Sequence, residues 1–212
     1  MKGVTFGNYH SYDDLSLILS SKTIGSPEPK IETVEIPGAD GVLDISEYFG
    51  EIKYNNRTLT FVFSTIVEPS DFLTLFSTVQ NALHGKKVRI ILDDDPNFYY
   101  MGRLTVSEWT ADKNIGTITV SCDCEPYKYK LSETTVTKSV STSATITLTN
   151  SRKRVTPTIT TTAAITVTFN GNSYSLSAGT FTVPEIVLEA GSNTLTVSGN
   201  ATVTIKYQEG EL

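Results

Sequence analysis

Apolar residues fall on every second position through most of this chain, and that period constrains the fold more than any other feature. Leu59, Phe61 and Phe63 share one side of a run whose other side is Thr58, Thr60 and Val62. Ala144, Ile146 and Leu148 alternate with threonine, as do Ile165, Val167 and Phe169, which end at Asn170-Gly171. Tyr174 and Leu176, Phe181 and Val183, Ile186 and Leu188, Leu195 and Val197, and Val203, Ile205 and Tyr207 continue the pattern. Successive side chains of a strand point to opposite faces, so each run reads as a strand with one buried face. Asn-Gly is a hairpin signal, because its turn needs positive φ. Short strands separated by Gly/Asn turns imply a β-sandwich or jelly roll. Threonine suits the outer faces, being β-branched and able to keep its hydroxyl in water.

One stretch breaks the period. Phe72, Leu75, Phe76, Val79 and Leu83 form a stripe at helical spacing, which predicts a helix over Asp71 to His84. Ser70 is the expected N-cap and Gly85 the expected C′ residue, with Asp71, Lys86 and Lys87 matching the helix dipole. Around it, strands are expected at 31–36, 42–45, 88–92, 98–109 and 115–124. PGADG (Pro37 to Gly41) and DDDPN (Asp93 to Asn97) read as turns. The first part is therefore an antiparallel β-sandwich with one packed α-helix.

Charge divides the chain near Lys130. Residues 1–130 hold 18 acids and 12 bases, whereas 131–212 hold five of each together with 30 Ser and Thr. This shift marks an expected boundary between an N-terminal domain (1–130) and a C-terminal β-sandwich (131–212). Residues 127–143, poor in large apolar side chains, are the expected linker or crossover.

A net charge of −6 disfavours a general nucleic-acid binder. No apolar run approaches the roughly 20 residues of a membrane helix. The start, MKGVTFGNYHSYDD, lacks the apolar core of a secretory signal. Two cysteines do not make a disulfide framework.

Candidates for chemistry have simpler readings. Asp93, Asp94 and Asp95 lack calcium-loop spacing and precede Pro96, so a solvated turn is expected rather than a metal site. Cys122 and Cys124 share a strand face at the edge of disulfide reach and lack further zinc ligands; they read as buried, reduced thiols. His10 has no nucleophile motif beside it, and His84 ends a helix. Arg152-Lys153-Arg154 reads as a solvated basic turn. Tyr99, Tyr100 and Trp109 read as core or interface aromatics rather than a sugar platform. The expectation is a structural or binding protein, not an enzyme, with no catalytic residues, metal or cofactor.

Ile36 to Ser46 (IPGADGVLDIS) and Tyr48 to Phe63 (YFGEIKYNNRTLTFVF) resemble the start of the distal tail protein family of siphophages and related prophages. The matching positions are Pro37, Gly38, Gly41, Asp44, Tyr54, Asn56 and Arg57. The ending is similar too, at Pro157, Ile159, Asn170-Gly171, Leu188 to Asn193 and Val203 to Tyr207. The resemblance implies a hexameric ring at the distal end of a phage tail. There the ring joins the tail tube protein to the tail-associated or tail-tip protein, and DNA passes through the lumen without specific binding. It implies a ring-forming N-terminal domain and a galectin-like C-terminal domain able to hold a receptor-binding protein. At 212 residues the chain has no room for an inserted carbohydrate-binding module. The implied location is the virion tail tip, after assembly in the bacterial cytoplasm and without membrane insertion. Asp44 and Arg57 are expected to brace the turn or a subunit contact.

Two other readings of the residues stand beside this one. The C-terminal sandwich could recognise host saccharide during adsorption, or the chain could be a tube or baseplate protein of a contractile phage-like tail. Beyond Lys130 the aromatics are only Phe169, Tyr174, Phe181 and Tyr207, all in strand-like alternation, which disfavours the saccharide reading.

Overall fold

Alternating β-branched and aromatic residues build nearly all of the structure. The computed structural model describes residues 2–48, 50–65, 67–112 and 115–212. It divides into two compact units, the first running to Lys128 (with Leu212) and the second spanning Tyr129–Glu211.

The first unit comprises β1 (Val4–Phe6), β2 (Tyr9–His10), β3 (Leu17–Ile24), β4 (Thr33–Val34), β5 (Leu43–Asp44), β6 (Arg57–Thr65), α1 (Phe72–Leu83), β7 (Lys87–Leu92), β8 (Phe98–Asp112) and all but the last two residues of β9 (Ile115–Lys130). Apart from β4 and β5, the strands form one sheet in the order β2-β1-β7-β8-β9-β6-β3. Phe6 of β1 meets Phe61 and Phe63 of β6 edge-on, with ring centroids 5.5 and 6.1 Å apart. Those strands are distant in the sheet order, so the sheet curls back on itself and encloses its core. Leu17, Leu59, Ile90, Leu104 and Ile118 are fully buried there. Each such side chain contributes about 1.5–3 kcal/mol by leaving water.

Helix α1 covers one end of this core. Val79 and Leu83 are buried, and Phe72 and Phe76 hold Trp109 of β8 between them at 5.4 and 5.6 Å. The helix start differs from expectation. Pro69–Asp71 forms a 3₁₀ turn, Ser70 lies inside it, and Asp71 occupies the N-cap position without a side-chain capping bond. Pro69 presets the φ of that turn's first residue, which moves the α-helical start beyond Ser70. Gly85 does occupy the C′ position, at φ +76°.

The second unit contains β10 (Thr134–Val140), β11 (Ser143–Asn150), β12 (Thr158–Thr161), β13 (Ile165–Phe169), β14 (Asn172–Leu176), β15 (Gly179–Thr182), β16 (Gly191–Gly199) and β17 (Ala201–Tyr207). Sheets β10-β17-β12-β15 and β11-β16-β13-β14 enclose Leu148, Ile159, Val167, Ile186, Leu195 and Val203 as a β-sandwich. Asn170 (φ +48°) and Gly171 (φ +81°) turn β13 into β14. The outer faces carry rows of hydroxyls. Thr137, Thr204, Thr160 and Thr180 line up across four strands, with oxygen pairs at 3.1 and 3.0 Å.

The expected linker at 127–143 is mostly strand, being the end of β9 and all of β10. Val136 packs against the sandwich core and Val140 lies within it, while the intervening hydroxyl side chains face water. A strand with one wet face needs few large apolar residues.

Candidate assembly site

Between β3 and β6 the chain leaves the sheet as a narrow two-stranded arm. Asn55 N–H donates to the Glu28 carbonyl at 2.8 Å and Lys30 N–H to the Lys53 carbonyl at 2.7 Å. Farther out, Thr33 pairs with Asp44 and Val34 with Leu43. Strands were expected at 31–36 and 42–45; the observed β4 and β5 are two residues each. With no third strand beside it among the described residues, the ladder is short.

Pro37, Gly38 and Gly41 form the tip. Gly38 (φ +85°) and Gly41 (φ +76°) adopt the left-handed region that side chains disfavour. Asp44 is bonded within the arm. Its Oδ1 accepts from the Ser46 amide at 2.9 Å and the Ser46 hydroxyl at 2.5 Å, and Ser46 Oγ in turn accepts from Glu32 N–H at 2.8 Å. The Ser46 hydroxyl, then its amide, hold the Asp44 carboxyl below the usual carboxylate range.

The other three motif residues sit at the root. Tyr54 meets Tyr127 edge-on at 6.0 Å, and Asn56 donates to Asp123 Oδ2 at 3.1 Å. Arg57 opens β6 with its side chain on the core face, only 6% exposed, and its guanidinium lies 5.6 Å from the Tyr100 ring centroid. The seven residues are therefore spread along the arm, with Pro37, Gly38 and Gly41 at the tip, Asp44 in the ribbon, and Tyr54, Asn56 and Arg57 at the root.

Two properties of the arm were not visible as motifs. Ile31, Val34, Ile36, Val42, Leu43 and Tyr48 are 44–77% exposed. Residues 25–56 also hold seven carboxylates against Lys30 and Lys53, a net −5 out of the chain's −6. A charge tally over that window would have found the second property. Nothing local in the sequence reveals the first.

The candidates for chemistry are engaged separately. Asp93 accepts from Gly3 N–H at 2.6 Å and lies 3.2 Å from His10 Nε2; Asp94 pairs with Lys22; Asp95 pairs with Lys128 at 2.9 Å. The three carboxylates thus diverge to different partners. Cys122 and Cys124 are buried free thiols with their sulfurs 3.2 Å apart. His84 Nδ1 accepts from Val106 N–H at 3.1 Å, tying the helix end to β8. Arg154 pairs with Glu189, and Lys153 reaches the Tyr129 hydroxyl at 2.9 Å. Tyr99 and Tyr100 are buried, and Trp109 is clasped by α1, so the three form no exposed platform.

These features define a class: a two-unit β protein whose helix-bearing first unit extends an exposed ribbon and whose second unit is a hydroxyl-faced sandwich. A solved structure has this fold along its entire length. It is the Dit protein (gp 19.1) of phage SPP1, described as a paradigm of the hub adsorption apparatus in phages infecting Gram-positive bacteria. The match has a TM-score of 0.73 and covers 100% of each chain at 16% sequence identity. No family model and no curated protein matches the sequence. At this identity the likeness is one of fold.

Proposed function

We propose that the chain is a structural component of a phage or prophage tail, forming a hexameric ring that joins the tail tube to the tail tip. The observation that carries this reading is the full-length fold match to SPP1 Dit, a hub protein. The arm supports it. An exposed ribbon bearing six large apolar side chains is unusual on a monomer and fits a contact between chains. A ring requires only a surface on one copy that fits a different surface on the next, with a rotation that closes. Passage of DNA fits the net charge, since phosphate contacts dominate nucleic-acid affinity and an acidic unit offers few. In this reading the second unit carries adsorption proteins and performs no catalysis.

Mass measurement tests the proposal. Light scattering on the purified chain is expected to give roughly six times 23.1 kDa, with rings visible by negative-stain microscopy. A monodisperse monomer at all concentrations overturns it. A specific, saturable glycan-array signal from the full chain, without ring formation, favours the saccharide reading instead.

A further inference from the structure

We propose that Cys122 and Cys124, with Arg57 beside them, form a site for a soft monovalent metal ion, copper(I), held between two thiolates. The site is independent of the ring reading. Both thiols are free and buried on one face of β9, and Cys124 Sγ–H donates to Cys122 Sγ at 3.2 Å. Gly102 on the neighbouring strand leaves the pair its room, since a Cβ there would stand 2.6 Å from each sulfur. No third His, Cys, Asp or Glu joins them to hold a metal among the described residues. Zinc takes four ligands, so this donor set does not suit it. Copper(I) prefers soft thiolate sulfur and is satisfied by two ligands. Two residues of a strand span about 6.6 Å, near the upper end of the Cα separation that a disulfide tolerates. An ion between the sulfurs lengthens the bridge to suit that span.

Charge selects the valence. Arg57 stands opposite Cys124 in the β6–β9 ladder, is 6% exposed and makes no ion pair among the described residues. Its Nε also lacks a hydrogen-bond partner there. Two thiolates around a monovalent ion carry one net negative charge, which the guanidinium balances; around a divalent ion they carry none, and the buried cation stays uncompensated. The bond to Cys122, then burial, hold the Cys124 thiol protonated in the free protein, while the Arg57 charge favours the thiolate. Binding forms two Cu–S bonds, releases both thiol protons to water and changes no oxidation state. Entry requires only local opening of β9 against its neighbours.

Competition for copper(I) tests the site. The full chain is titrated, without oxygen and with ascorbate, against copper(I) held by the coloured chelator bicinchoninate. Wild type is expected to withdraw one copper per chain, and X-ray absorption of the loaded protein is expected to show two sulfur neighbours. C122S/C124S is expected to withdraw none. Arg57→Met is expected to keep the stoichiometry and lose about 10–100-fold in affinity, as supporting partners of metal ligands typically contribute. Circular dichroism of the metal-free variants checks folding, and the absorption spectrum needs only wild type should the serine chain not fold. No withdrawal by wild type, equal withdrawal by a folded C122S/C124S chain, nitrogen or oxygen neighbours in the spectrum, or zinc held as tightly as copper(I) overturns the proposal. An Arg57→Met affinity equal to wild type overturns the part given to Arg57.

Discussion

Arg57 and Tyr100 form a buried cation–π pair at the root of the arm, 5.6 Å from guanidinium carbon to ring centroid, and Arg57 Nε has no hydrogen-bond partner among the described residues. Arg57 closes the end of the first unit's core, where Leu59, Phe61 and Phe63 share its face. Burial pushes the Tyr100 hydroxyl pKa up, against the pull of the guanidinium.

Replacing Arg57 distinguishes its volume from its charge. Arg57→Ala leaves a hole beneath Tyr100, and the urea midpoint is expected to fall by the equivalent of about 2–4 kcal/mol. Arg57→Met keeps most of the volume and removes a buried charge with an unmet donor, so its midpoint is expected to equal or exceed wild type. An Arg57→Ala chain as stable as wild type would reject the bracing role.

Trp109 is the chain's single tryptophan, so its fluorescence reports directly on the α1–β8 contact. A Cβ at residue 116 would lie 2.6 Å from the indole and 2.8 Å from Thr65 Cγ2. Gly116→Ala therefore has to displace the ring from between Phe72 and Phe76. The expected outcome is a red-shifted emission maximum with a loss of about 1–3 kcal/mol. An unshifted spectrum would show that the ring moves without leaving its clasp.

Glu209, 4% exposed, gathers Lys130 Nζ at 2.6 Å, Thr134 Oγ1 at 2.5 Å and Ser151 Oγ at 2.6 Å. Burial alone would raise its pKa. The Lys130, Ser151 and Thr134 bonds outweigh burial and hold it below the ordinary glutamate value. Its contribution to stability is thus fully present above the unfolded pKa of about 4.3 and is lost as pH falls through the lower folded value. Glu209→Gln is expected to cost about 2 kcal/mol at pH 7. The gap between variant and wild type in urea midpoint should narrow below pH 4.3. A gap independent of pH would mean that shape, not charge, holds the cluster.

How much of this was legible depends on whether the cause is local. The helix stripe from Phe72 to Leu83 and the Asn170-Gly171 turn were readable because period and positive φ are properties of a few adjacent residues. The tip at Pro37, Gly38 and Gly41 was readable for the same reason. The exposure of Ile31, Val34, Ile36, Val42 and Leu43 was not, because alternation shows which residues share a face but not whether another layer covers it. Arg57, Gly102 and the Cys122–Cys124 pair come from three strands, and only folding brings them together. The start of α1 turned on Pro69, whose 3₁₀ turn displaced a reasonable cap.

Cys122 and Cys124 provide a test of core integrity. Both are buried with sulfurs 3.2 Å apart, and they face Gly102 on the neighbouring strand. The hydrogen bond to Cys122, followed by burial, pushes the Cys124 thiol well above its ordinary pKa. The thiolate is the reactive form, so native protein is expected to resist a thiol reagent such as DTNB and to yield two thiols per chain only when denatured. Gly102 keeps this site closed. A Cβ there would stand 2.6 Å from both sulfurs and from the Asp123 carbonyl oxygen. Backbone does not yield as a flexible side chain would, so Gly102→Ala must part β8 from β9. That variant is expected to react with the reagent under native conditions at least tenfold faster than wild type, which corresponds to about 1.4 kcal/mol of easier opening. Equal labelling rates in the two proteins would show that β8 and β9 can absorb the methyl group without separating.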